Sequence, residues 1–354
     1  MPVAGQIPVF DGHNDLLLRL SRRSINEATA GFLGGDGRGH LDLPRMRQGG
    51  FCGGFFAIFV PDIRKADADA LFTRDTYEVP LPPGVPLDMA QAATIAMAAR
   101  LFDIERESAG AFRICRTAAD LRGAVAADAI AAVLHIEGAE AIDADFAMLE
   151  VMYQAGLRSL GPVWSRPNLF GHGVPFRFPS MPDIGDGLTE HGVRLVRECN
   201  RRKIMLDVSH LNEKGFWDVA RLSDAPLVAT HSNAHAICPH SRNLTDKQLA
   251  AIRERDGMVG VNYAVSFIRP DGRRDTATPL DMLIDHIIYL IEHLGEGRVG
   301  LGSDFDGATV PAEIGTAAGL QNLVAAMRLR GFDEPLLRKV CCDNWLDALE
   351  RSWA

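Results

Sequence analysis

The sequence predicts an α/β fold, a (β/α)8 barrel of the TIM type, from three observations. Eight short apolar runs recur along the 354 residues. Helical patterns separate most of them. Several runs close on residues that ligate metal ions, as parallel strands ending at one rim require. A doubly wound open sheet is the alternative, weakened because no Gly-x-Gly-x-x-Gly follows the first run.

Taken in order, strands are expected at 8–12, 54–60, 130–136, 158–163, 203–209, 226–230, 257–262 and 298–302. Runs such as IAAVLHI and PLVAT are apolar throughout, the pattern of strands buried on both faces. Thr117, Thr189, Asn212 and Thr245 stand as N-caps before helical stretches. A long helix is expected over 279–294, with Gly295 as its C-terminal stop. The glycine-rich segment 31–39 (GFLGGDGRG) and the proline-rich segment 79–86 (VPLPPGVP) read as loops. They belong to two early insertions, about 21–42 and 61–88, placed to shape a pocket rim. No internal repeat or low-complexity tract interrupts the pattern, so 1–354 reads as a single barrel domain.

The bulk properties exclude some functions. A net charge of −9 disfavours a nucleic acid or an anionic membrane as partner. The six cysteines form no CxxC pair and no dense disulfide framework. A reducing, cytoplasmic location is therefore expected, with an isolated disulfide still open. No signal peptide, membrane span or hydrophobic tail is read in the sequence.

The chemistry starts with DGHNDLL. Residues i and i+2 of a strand share a face, so His13 and Asp15 can both meet one ion if the strand reaches that far. Alone, His-x-Asp reads more readily as a capped turn than as a metal site. Glu137 ends a buried run, where a carboxylate needs a partner, be it a salt bridge or a metal. His135 lies deeper in that run and reads as core. His210 closes IMLDVSH and His231 closes PLVATHS. Five such residues exceed one tetrahedral zinc, and a shared carboxylate resolves the count. Glu137 would bridge two Zn2+ ions, with His13 and Asp15 on one and His210 and His231 on the other. Paired ions hold a hydroxide between them at neutral pH and so supply a nucleophile for hydrolysis. Asp304, in GLGSDFDG, would return beside the first strand and carry a proton to a leaving amine. Asp306 beside it reads as structural. Arg242, in CPHSRNLT, can clamp a substrate carboxylate, or else make a surface salt bridge.

These motifs (DGHNDLL, Glu137–Gly138, DVSH, THS followed by SRN, and GSDFDG) resemble the renal or membrane dipeptidase family, zinc peptidases of the amidohydrolase superfamily. They occur in the family's order from residue 9 to residue 306, and DNWLDAL resembles the family's closing helix. The resemblance implies a metal-dependent hydrolase barrel with two zinc ions bridged by Glu137 and the ligand pairs already named. It implies Arg242 on the C-terminal carboxylate of a dipeptide, Asp304 as proton shuttle, substrates often carrying a D-residue at the C-terminal side, and a homodimer. One position departs. The family places a histidine after the fourth strand to polarise the scissile carbonyl, where this chain has Trp164, which donates a hydrogen bond but carries no charge. His172, in the same loop, is the expected substitute. Two other readings stay open: a different small amide or lactone substrate, or an inactive zinc-binding relative.

Overall fold

The computed structural model describes residues 5–62 and 70–354; the first four residues, and residues 63–69 inside the second expected insertion, lie outside the described residues. Eight parallel strands form the barrel: β1 Val9–Asn14, β2 Phe51–Phe59, β3 Ile130–Glu137, β4 Leu157–Gly161, β5 Met205–Leu206, β6 Val228–Ala229, β7 Met258–Asn262 and β8 Val299–Gly302. Their order is β5-β4-β3-β2-β1-β8-β7-β6. A bridge between Asp207 and Val228 links the two ends, giving a nearly closed barrel. Each predicted strand has its counterpart.

β5 and β6 are shorter than the sequence suggests, and Asp207 explains why. Its Oδ1 accepts from Ser209 N and from Thr230 N, both at 2.9 Å. A side-chain oxygen thus takes ladder donors from both strand ends, satisfying the backbone without extending the sheet. The segment 31–39 also differs from expectation. Its first four residues complete the helix Ile25–Gly34, because Ala28, Thr29 and Phe32 pack inward and hold that helix together; it stops at Gly35, φ 80°. The segment 79–86 is loop, as expected, and leads into the helix Leu87–Glu107.

Two packing layers follow from the strands' alternation. Outward side chains such as Phe56, Ile58, Leu134 and Ile136 join the helices in the main core. The helix Leu280–Leu294 contributes Leu283, Ile284, Ile287, Leu290 and Leu294, one stripe of a 3.6-residue period, and Gly295 ends it at φ 89°. Inward side chains Phe10, Phe55, Met205, Val228 and Met258 fill the barrel floor around Trp345. Trp345 comes from the closing helix Asn344–Trp353 and donates from Nε1 to Leu301 O at 2.8 Å. A side chain on Gly12 would collide with both the Trp345 ring and the Thr230 carbonyl. Glycine there lets the indole rise directly beneath His13. With the floor plugged, the opposite rim, at the C-terminal strand ends, is left for function.

Candidate metal centre

The strands deliver the five expected ligands to one point. His13 lies within β1, Asp15 just beyond it, and Glu137 closes β3. His210 and His231 follow β5 and β6. One oxygen of Glu137, Oε1, stands 3.0 Å from His210 Nε2, 3.3 Å from His231 Nε2 and 3.6 Å from His13 Nε2. His13 Nε2 is also 3.6 Å from Asp15 Oδ2. Asp304 joins His13 and Asp15 in a second group of donors. All six side chains are shielded from solvent except part of Asp304.

The hydrogen bonds around His231 settle its tautomer. The Thr230 hydroxyl has one proton, and Asp207 Oδ2, 2.6 Å away, can only accept it. Thr230 Oγ1 must then accept from His231 Nδ1 at 2.8 Å. That leaves a lone pair on His231 Nε2, turned toward Glu137 and His210, the form that binds a cation. His210 Nδ1 lies 2.8 Å from Ser165 Oγ, a hydroxyl that can donate to it or accept from it.

Charge completes the test of fit. Burial holds His210 and His231 well below the usual histidine range, so both stay neutral. Burial also opposes charge on His13, but Glu137, Asp15 and Asp304 outweigh it and raise its pKa to about 10. Burial raises Glu137 well above the carboxylate range and raises Asp304 too. These carboxyl groups crowd a dry place where burial and mutual repulsion oppose their ionisation unless a cation sits among them. Neither ring nitrogen of His13 and neither lone pair of Asp15 Oδ1 finds a hydrogen-bond partner among the described residues. Unpartnered ligand atoms on His13 and Asp15, crowded buried carboxyl groups and the preset His231 lone pair together fit divalent metal.

The backbone supports the site at some cost. His210 and Asp304 sit at φ 65° and 58°, a left-handed conformation that non-glycine residues avoid. Asp304 is fixed there by its N–H on His13 O (3.0 Å) and by Asn262 Nδ2 on its Oδ2 (2.9 Å). Asp306, also left-handed, accepts from Arg19 Nε (2.9 Å) and His40 N (2.6 Å), tying the early insertion to this rim. Asp11 on β1 accepts from Ser303 N (2.6 Å) and Oγ (2.8 Å), pinning β1 to the end of β8.

A cleft of about 350 Å³ opens over the ligands. Asp15, Glu137, His210 and Asp304 line its polar side, and Phe59, Trp164, Phe176 and Phe267 an aromatic side. The Trp164 ring packs 4.9 Å from Phe59 and 5.8 Å from His210. His172 is not brought to this cleft. It is half-buried, with its Cβ beside Gly185, outside the cleft lining. The loop turns it away because Val174 N bonds His210 O at 2.8 Å and Gly173 bridges Leu211. Arg242 is buried rather than on the surface. It donates to His231 O (3.1 Å) and Ser232 Oγ (3.4 Å), lies 5.6 Å over the Phe267 ring, and keeps Nε without a partner among the described residues. His135 is core, with Nδ1 2.8 Å from Ser159 Oγ.

Sequence reasoning missed Thr230, Asp207 and Ser165, which aim the imidazoles. Thr230 and Asp207 stand inside the very motifs that carry the ligands, THS and DVSH. Ser165 follows Trp164 and had no comparable signal. Arg166 was missed as well. It is fully buried and joins three strand ends: Nε to Glu140 Oε1 at 2.8 Å, and its terminal nitrogens to Asp62 Oδ1 and Val60 O, both at 2.7 Å.

A parallel barrel that gathers three imidazoles and three carboxylates at its C-terminal rim defines a metal-dependent hydrolase. A profile of the membrane dipeptidase family, peptidase family M19, matches residues 1–352, and the chain belongs to that family of metallo-dipeptidases. It is similar to a metallo peptidase from Rhodobacter sphaeroides, solved liganded with a phosphinate mimic of the dipeptide L-Ala-D-Ala. The two share 58% identity over 98% of this chain and 100% of the other, at a TM-score of 0.96. The solved metallo peptidase dipeptidase AC is similar too, at 59% identity over 98% and 99% of the two chains and a TM-score of 0.96. An uncharacterized protein in the pqqA 5' region of Klebsiella pneumoniae is 48% identical over 77% of this chain and 98% of its own length.

Proposed function

We propose that the chain is a binuclear zinc dipeptidase that cleaves small dipeptides, tolerating or preferring a D-residue at the C-terminal position. The observation that carries the reading is the single Glu137 oxygen shared by three histidine Nε2 atoms. His13 and Asp15 would hold one zinc, His210 and His231 the other, with Glu137 between. When bound, such ions polarise the amide carbonyl and activate water at neutral pH. The L-Ala-D-Ala mimic held by the Rhodobacter metallo peptidase supports the substrate class.

The chain's own residues would do the rest. Arg242, with an uncommitted Nε, would pair with the substrate's C-terminal carboxylate. Asp304 faces the cleft, and Asn262 occupies one of its oxygens, leaving the other to take a proton and hand it to the departing amine. Phe59, Trp164 and Phe176 would exclude water and receive the N-terminal residue. The cleft's size matches a two-residue ligand. A homodimer belongs to the proposal on the family resemblance alone.

The test is a library of L,L- and L,D-dipeptides, their C-terminal amides and N-acyl amino acids, assayed on zinc-loaded enzyme. The proposal expects L,D-dipeptides to be cleaved and their amides, which lack the carboxylate, to be poor. Turnover of N-acyl amino acids with every dipeptide inert would overturn it.

A further inference from the structure

The barrel's other end carries a second reactive arrangement. Cys52 sits near the start of β2, and Cys342 lies in the helical turn Lys339–Asp343. Their sulfurs are 3.5 Å apart, although 290 residues separate them. A cavity of about 320 Å³ opens onto Cys52, bordered by Gln6, Arg47, Val125, Asp128 and Arg338. Cys342 is 1% exposed and packs in the floor cluster with Trp345, while its neighbour Cys341 faces the main core. None of the metal-binding residues is a cysteine.

We propose that Cys52 and Cys342 form a reversible disulfide, with a low-molecular-weight disulfide such as oxidised glutathione as oxidant. Cys52, reached through the cavity, attacks one sulfur of the oxidant as the thiolate. A mixed disulfide forms at Cys52 and one small thiol leaves. Cys342 then attacks Cys52 Sγ, forms the protein disulfide and expels the second small thiol. Two protein thiols are oxidised and one small disulfide is reduced to two thiols. The sulfurs must approach by about 1.5 Å to reach a bonding distance of about 2.05 Å. The hydrogen bond to Cys342 and burial hold the Cys52 thiol well above its usual range. The first step is therefore slow near neutral pH and quickens as pH rises.

The bond would staple the closing segment to the second strand. Trp345, three residues beyond Cys342, fills the floor under His13. The staple would therefore resist loss of that plug on heating. Because the loop closed is long, the thermal midpoint should rise by roughly 5 °C or more.

The experiment incubates the zinc-loaded full chain with excess oxidised glutathione over a pH series, alkylates free thiols and maps peptides without reduction. The expected result is a peptide pair joined through Cys52 and Cys342, formed faster at higher pH, reversed by dithiothreitol, and accompanied by the rise in midpoint. Cys52→Ser should abolish both the link and the rise. Two alkylated thiols after prolonged alkaline exposure, or a lasting glutathione adduct on Cys52 beside a free Cys342, would overturn the proposal. The readouts are covalent and thermal, so they stand or fall independently of which peptide the enzyme cleaves.

Discussion

Arg166 offers the sharpest quantitative prediction. Its guanidinium is wholly buried and bonded to Glu140, Asp62 and Val60 O, with Phe59 and Trp164 rings 5.1 and 5.6 Å from its central carbon. Burial works against its charge, but Glu140 and Asp62 more than offset that and raise its pKa. Arg166→Met keeps most of the stem and removes the head group. Asp62, a quarter exposed, rehydrates at little cost. Glu140 is different: it is 1% exposed and its Oε2 already lacks a partner among the described residues. Leaving such a charge unpaired costs about 3–5 kcal/mol. The double variant Arg166→Met/Glu140→Leu removes both charges and should recover more than half of that loss. Urea unfolding at fixed, saturating zinc measures all three proteins against the parent. A single-variant loss below about 1 kcal/mol, or a double variant no better than the single, would refute the argument. The same substitution frees Trp164 and Ser165, so zinc affinity should fall with stability.

Three further outcomes follow from the site and the core. Asp304→Asn should lower kcat by about 10²–10⁴-fold with zinc content unchanged; kcat within a few-fold of the parent would remove Asp304 from proton transfer. Thr230→Val breaks the Asp207–Thr230–His231 chain and should weaken zinc binding by about 10–100-fold in a chelator competition; unchanged affinity would show that the tautomer is set elsewhere. His286, buried between Ala234 N and Ile268 O, has its pKa pushed down to about 4 by burial. The unfolded chain binds that proton near 6.5, so the stabilising contribution is whole above about pH 6.5 and is lost as pH falls toward 4, about 3 kcal/mol in all. His286→Gln should flatten the unfolding free energy over that window, and an unchanged slope would contradict the assignment.

The strands were legible because burial on both faces writes itself as unbroken apolar runs, and β3 and β7 needed nothing more. The convergence of His13, Asp15, Glu137, His210 and His231 was legible for a related reason: residues at strand ends of a parallel barrel share one rim. Other features were set by contacts remote in sequence. Arg166 reads as an ordinary polar loop residue until the ends of β2 and β3 close over it. The helix through Gly34 persists against glycine's preference because Phe32 and its neighbours are packed. His172 shares a loop with Trp164, but the path of that loop is fixed by bonds to the backbone near His210. Asp207 shortens two strands through a side-chain contact that no periodicity reveals.

The central claim is that Glu137 straddles two ions. Anomalous diffraction at the zinc edge from zinc-loaded crystals tests it most directly. Two peaks are expected, each about 2.0–2.2 Å from a Glu137 oxygen, one beside His13 and Asp15 and the other beside His210 and His231. A single peak, or zinc bound with Glu137 outside its coordination sphere, would contradict the account.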